Sequence, residues 1–167
     1  MSRYAKIMNN DVVDGKGISV SFWVQGCPIR CKDCHNSTIW DFHGGIPYTP
    51  EVKWKIIKAI SANNITRNFS VLGGEPLALQ NIEMVWDVID AVRHAYPHIQ
   101  ITLWTGYTYE QLMKQPNETL LNILNTIDIL IDGPFIKEEK DLSLKLRGSR
   151  NQHIWVRKNN RWEIEDD

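Results

Sequence analysis

A chain of 167 residues with 43% hydrophobic and 23% charged residues has the balance of an ordinary globule and is long enough to bury a core. Its 19 Lys and Arg against 20 Asp and Glu leave a net charge of −1, which excludes a nucleic-acid face or an anionic-membrane anchor built on bulk charge. Apolar runs fall short of the ~18–20 residues of a membrane span, and Gly and Pro are too scattered for a low-complexity chain.

In chain order, the opening stretch MSRYAKIMNNDVVDG lacks the apolar segment of a signal peptide, so a cytoplasmic protein is expected. Residues 18–24 (ISVSFWV) are β-branched and aromatic and predict a strand, followed by a cysteine loop from Gln25 to about Asn36. Thr49-Pro50-Glu51 reads as an N-cap, a first-turn proline and a first-turn acid, opening a helix to about Ala62. Residues 69–72 (FSVL) predict a buried strand entering Gly73-Gly74, and Val85, Ile89 and Val92 mark one face of a helix over Ile82–Ala95.

A strand over 99–104 (IQITLW) stops at Thr105-Gly106. Short helices near Tyr109–Lys114 and Thr119–Asn125 lead to a strand over Ile127–Ile131, which meets Asp132-Gly133-Pro134. The stretch Lys137–Gly148 reads as a polar loop with some helix, His153–Val156 as a last strand, and the acidic residues 163–167 as a frayed tail. Strands alternating with helices predict right-handed βαβ units. The length allows roughly four to six strands, far fewer residues than the ~250 of a closed eightfold barrel. The expected fold is therefore α/β, an open partial (β/α) barrel of mostly parallel strands in a single domain across 1–167.

Three cysteines, Cys27, Cys31 and Cys34, are the whole complement, and all lie in that one loop. An odd, crowded set points to metal or redox chemistry rather than disulfides. C-x3-C-x2-C can offer three thiolates to a cuboidal iron–sulfur cluster and leaves one iron open to an exogenous ligand. A zinc site completed by His35 or His43, or a passive electron carrier, are the alternatives, although structural zinc ligands more often come as two separated pairs.

The stretch from Val13 to Trp40, VDGKGISVSFWVQGCPIRCKDCHNSTIW, resembles the cluster-binding segment of radical S-adenosylmethionine enzymes, in particular the glycyl-radical-enzyme activases. LGGEPL (72–77), LWTGYT (103–108), LIDGPF (130–135) and DLSLKLRGSRNQ (141–152) narrow the likeness to the compact activases of anaerobic ribonucleotide reductases. The resemblance implies a 4Fe–4S cluster on Cys27, Cys31 and Cys34, with S-adenosylmethionine chelating the fourth iron. Reductive cleavage would give a 5′-deoxyadenosyl radical, which takes a hydrogen atom from a glycine of the large reductase subunit. A flavodoxin or ferredoxin would be the reductant, and a pyruvate formate-lyase-type activase is the nearest alternative.

The resemblance also implies a contact between the methionine amino group and Gly74 and Glu75, with Gly73 letting the backbone come close. Thr105 and Asp132, ending predicted strands, are expected on the same rim, and Asn36 caps the cluster loop or touches the cofactor. Arg147, in the polar run to Gln152, is expected to meet the cofactor's carboxylate or the partner. Trp40 and Trp104 lie near the expected site and are candidates to line the adenosyl pocket, but packing is the simpler role for them, as for Trp23, Trp54 and Trp86. No catalytic side chain is expected beyond the cluster and cofactor ligands. Two positions depart from the wider pattern: Asp33 stands where an aromatic residue often packs on adenine, and Ser19 where relatives often carry Arg.

Overall fold

The structure is a computed structural model that describes residues 2–166; Met1 and Asp167, the last residue of the acidic tail, lie outside the described residues. Eight strands form one open sheet in the order β3-β1-β2-β4-β5-β6-β7-β8. They are β1 (Arg3–Asp11), β2 (Ser19–Val24), β3 (Ile46–Pro47), β4 (Asn68–Gly73), β5 (Ile101–Trp104), β6 (Ile129–Asp132), β7 (His153–Lys158) and β8 (Arg161–Ile164). Only β2, β4, β5 and β6 run parallel to their neighbours; β1 and β3 on one side and β7 and β8 on the other are antiparallel. The expectation of a mostly parallel sheet holds for this centre and fails at both edges.

The crossovers explain the difference. Helices α1 (Pro50–Ile60), α2 (Ile82–Ala95), α3 (Tyr109–Met113) and α4 (Glu118–Leu124) carry the chain back between successive central strands, which forces parallel pairing. Residues 133–152 contain no such crossover. They leave and re-enter the sheet at the same end, so β7 pairs antiparallel with β6, with Asp132 opposite His153. Glu163 and Ile164 complete β8 instead of fraying, and Asp166 accepts the Ile154 N–H at 2.8 Å.

Alternation along the central strands divides the molecule. Val20, Phe22 and Val24, Phe69 and Val71, Ile101 and Leu103, and Leu130 point to one face. There they pack against Val52, Ile56 and Ile60 of α1, Val85, Val88, Ile89 and Val92 of α2, and Leu120, Ile123 and Leu124 of α4. The helical stripes at i, i+3, i+4 supply these contacts. On the other face, Ile129, Ile131 and Ile154 make a smaller cluster with Trp104, Leu146 and Val156 packed on it.

The ends of the helices are held in ways that sequence only half announces. Thr49 precedes α1 in extended backbone but makes no side-chain cap bond, whereas Thr108 forms a capping box with Gln111. Buried Arg67 closes the carboxyl end of α1, donating to the carbonyls of Ala59, Ala62 and Ile65 at 2.9–3.1 Å and to Asn10 at 2.8 Å. Among the described residues no helix is long and apolar enough to cross a membrane.

Candidate cluster and cofactor site

The site is built where four central strands end. After β2, the cluster loop is anchored by its own backbone: Gly26 N–H donates to the Ile39 carbonyl at 2.8 Å and Cys27 N–H to that of Trp40 at 3.0 Å. After β4, the Gly73-Gly74-Glu75 loop lies directly on it. Gly74 N–H reaches the Val24 carbonyl at 3.0 Å and Glu75 N–H that of Gly26 at 2.8 Å. A Cβ at Gly74 would strike the Gly26 carbonyl, so only glycine permits this approach. Gly74→Ala is therefore expected to lower stability by about 2 kcal/mol or more. A fall in the urea unfolding midpoint checks it, and an unchanged midpoint would show that the two loops can part freely.

Two side-chain amides complete the seam. Buried Asn81 donates to the carbonyls of Gln25 at 3.2 Å and Glu75 at 2.9 Å. Asn36 donates to the Gly73 carbonyl at 3.3 Å. Of the two roles expected of Asn36, the local cap is not made: its side chain ties the cluster loop to the neighbouring one and lines the cavity.

Glu75 is the most enclosed group of the site, 1% exposed. Its Oε1 accepts the Gly106 N–H at 2.6 Å; its Oε2 accepts Thr105 Oγ1 at 2.7 Å and the Leu77 N–H at 2.9 Å. Burial pushes its carboxyl up to about 7, although these three donors favour the charged form. Thr105 thus enters the site through Glu75, as well as lining it.

The three cysteines are free thiols that line a single cavity of about 580 Å³ with Asn36, Gly73, Gly74, Glu75, Thr105 and Arg147. Burial pushes the Cys27 thiol up, against amide hydrogen bonds from Arg30 and Ile29 that favour its thiolate. Cys31 is likewise raised by burial and opposed by the Phe135 N–H. The Asn36 N–H donates to Cys34 Sγ at 3.4 Å. Each sulfur therefore faces at least one amide, the donor set a thiolate needs when its charge is shared with iron. Among the described residues no three His, Cys, Asp or Glu side chains are grouped to hold one metal ion. His35, one of the two histidines of the zinc alternative, lies against Phe135 at 5.6 Å between ring centroids.

Of the expected site residues, Asp132 is placed otherwise and Arg147 is already engaged. Asp132 is buried, but its carboxylate accepts the N–H groups of Tyr109 at 2.7 Å and His153 at 3.1 Å and lines no part of the cavity; its role is to fix α3 and β7 to the end of β6. Arg147 does line the cavity, yet its guanidinium is engaged by the Gln152 carbonyl at 3.0 Å and Asp166 at 3.6 Å. Asp33 points outward to Lys137 at 3.3 Å, from left-handed backbone (φ 59°) that Asp tolerates better than most residues.

Further residues close the cavity, Trp40 and Trp104 having been expected near it and the others not. Trp23, Leu72 and Trp104 stand on the face of the sheet opposite the helices, one strand each, and the period of two could have shown that they share it. Trp40 lines the cavity too, as do Phe135 and the leucines of the 133–152 segment, Leu142, Leu144 and Leu146. At the far end, Asp14 is pushed up to about 7 by burial and then by its hydrogen bond and repulsion with Asp11. Its carbonyl accepts Ser70 Oγ at 2.6 Å. Ser19, the other departure, is fully buried under this turn.

Comparison with known proteins gives the same segments a name. A family model described as a 4Fe-4S single cluster domain matches residues 13–155. Relatives named anaerobic ribonucleoside-triphosphate reductase-activating protein include one from Vibrio cholerae, 38% identical over 86% of this chain and 91% of its own. Another, from Haemophilus influenzae, is 36% identical over 90% of this chain and 96% of its own. A third, from Enterobacteria phage T4, is 32% identical over 96% and 97%.

Proposed function

The chain belongs to the 4Fe-4S single cluster domain family and, within it, to the anaerobic ribonucleoside-triphosphate reductase-activating proteins, and from this we propose that it installs a glycyl radical on such a reductase. The observation that carries the reading is the cavity in which three amide-facing cysteines meet the Gly73-Gly74-Glu75 loop. When bound, a reduced 4Fe–4S cluster and S-adenosylmethionine supply the electron and the 5′-deoxyadenosyl radical that takes a hydrogen atom from a glycine Cα.

The side chains divide the remaining work. Cys27, Cys31 and Cys34 would hold the cluster through three of its irons, leaving the fourth open to the cofactor. Oε1 of Glu75 has one protein donor and a further lone pair, which suits the cofactor's ammonium beside Gly74. Arg147 keeps a positive charge on the cavity wall, which suits the cofactor's carboxylate. The walls of Trp23, Trp40, Trp104 and the leucines keep water from a reactive carbon radical. Arg30 and Lys32, exposed on the cluster loop, suit an acidic flavodoxin or ferredoxin as reductant in a cytoplasm that keeps thiols reduced.

The test is anaerobic reconstitution with iron and sulfide, followed by a chemical reductant, S-adenosylmethionine and an anaerobic ribonucleotide reductase. The expected result is a glycyl-radical doublet by electron paramagnetic resonance, with 5′-deoxyadenosine formed in step. A brown, reducible protein that cleaves S-adenosylmethionine but yields a doublet only on a formate lyase would redirect the reading to another activase.

A further inference from the structure

An adenosyl cofactor needs a flat apolar wall for its base, and the side chain before the last cysteine does not provide one. Asp33 is exposed, turned to Lys137 and held in left-handed backbone, so it has neither the ring nor the direction. The wall must come from another element, close enough to the sulfurs that one molecule can reach both.

Four aromatic rings line the cavity besides His35, and two of them are held through their side chains by other contacts. Trp23 carries the Lys6 ammonium at 4.2 Å from its centroid and donates its indole N–H to Ser21 at 3.0 Å. Trp104 packs on the Ile129, Ile131 and Ile154 cluster and donates to the Leu146 carbonyl at 2.7 Å. Trp40 is fixed through its main chain, its carbonyl accepting the Cys27 N–H at the base of the cluster loop. Phe135 remains. It is half-buried, its own N–H faces the Cys31 sulfur, and its ring meets His35 at 5.6 Å and 50°. Gly148 makes room for it: a Cβ there would stand 3.1 Å from Cδ1 and 3.4 Å from Cε1 of the ring.

We propose that the Phe135 ring, steadied by His35 and seated on Gly148, is the platform on which the adenine of the cofactor stacks in this protein. The inference rests on the reading that S-adenosylmethionine is the cofactor. Phe135 ends the Asp132-Gly133-Pro134-Phe135 turn, so Asp132 becomes a positioning group: its bonds to Tyr109 and His153 fix where that turn leaves the sheet.

S-Adenosylhomocysteine and methionine separate the two ends of the cofactor, and calorimetric titration of anaerobically reconstituted protein reads each without turnover. Phe135→Leu is expected to weaken S-adenosylhomocysteine by roughly tenfold, the usual effect of losing a base–aromatic stack. Methionine affinity should stay unchanged, and Phe135→Tyr should bind both as the parent does. Gly148→Ala, which displaces the ring without removing it, should weaken the adenosyl ligand alone. Unchanged S-adenosylhomocysteine affinity in Phe135→Leu, or equal loss of both ligands, overturns the assignment. A parent protein that carries its cluster and binds no adenosyl ligand overturns the cofactor reading itself.

Discussion

Replacing Cys31 with alanine is expected to leave a folded chain without a complete cluster, and formation of 5′-deoxyadenosine should fall to background. The loop does not depend on its sulfurs for shape. Gly26 and Cys27 donate to Ile39 and Trp40, Glu75 N–H donates to Gly26, and Asn36 spans to Gly73. The unfolding midpoint of the protein without iron should therefore hardly move, since Cys31 is only half-buried. Iron binding is another matter, because a cube held by two thiolates has two open irons in place of one and no single site for the cofactor. Cys27→Ala and Cys34→Ala should behave alike. Iron and sulfide analysis with the visible absorbance of the reconstituted protein checks the first half, and product chromatography the second. Parental iron content together with normal turnover in any of the three would remove the cysteines from the chemistry.

Glu75→Ala should be the most destabilising substitution in the site, by about 3–5 kcal/mol, because it leaves the N–H groups of Leu77 and Gly106 and the Thr105 hydroxyl without their buried acceptor. Glu75→Gln should cost less, about 1–3 kcal/mol, since an amide keeps one acceptor oxygen but sets its NH₂ against a donor. The parent also differs from both variants in pH dependence. Burial raises the Glu75 carboxyl from 4.5 to about 7, so between those values the folded protein holds a proton that the unfolded chain has released. This contribution is complete below pH 4.5 and is lost as pH rises to 7. The stability advantage of the parent over Glu75→Gln should therefore shrink across that interval, as read from urea midpoints at several pH values. An advantage that grew with pH would mean that the three donors, and not burial, govern the carboxylate.

The parts of this molecule that repeat a simple physical pattern could be read from the chain. Helix α2 runs from Ile82 to Ala95 as its apolar spacing predicts, and the strands before it and after it fall within two residues of their expected positions. The cysteine loop stood out by its crowding, and Gly73-Gly74-Glu75, an ordinary turn by itself, by following it one βα unit later; the structure brings both to one cavity. Strand β1 was not, since RYAKIMNND buries only Tyr4 and Asp11 and carries the polar mixture of an outer strand. The β7–β8 hairpin did leave a signal: Asn159 and Asn160 both take positive φ, 51° and 63°, as a two-residue hairpin turn requires. Asp132 misled for a physical reason. An acid at the carboxyl end of a parallel strand resembles a ligand, and only the course of residues 133–152 shows that its acceptors are needed by backbone amides.

Asp166 gives the region after β8 a mechanical hold on the chemistry. One carboxylate clamps the Ile154 amide, the His153 ring at 2.7 Å and Arg147 at 3.6 Å, and Arg147 belongs to the cavity wall. A reporter or affinity handle fused just beyond this latch would load the wall directly, whereas one fused ahead of β1 would load the opposite side of the sheet.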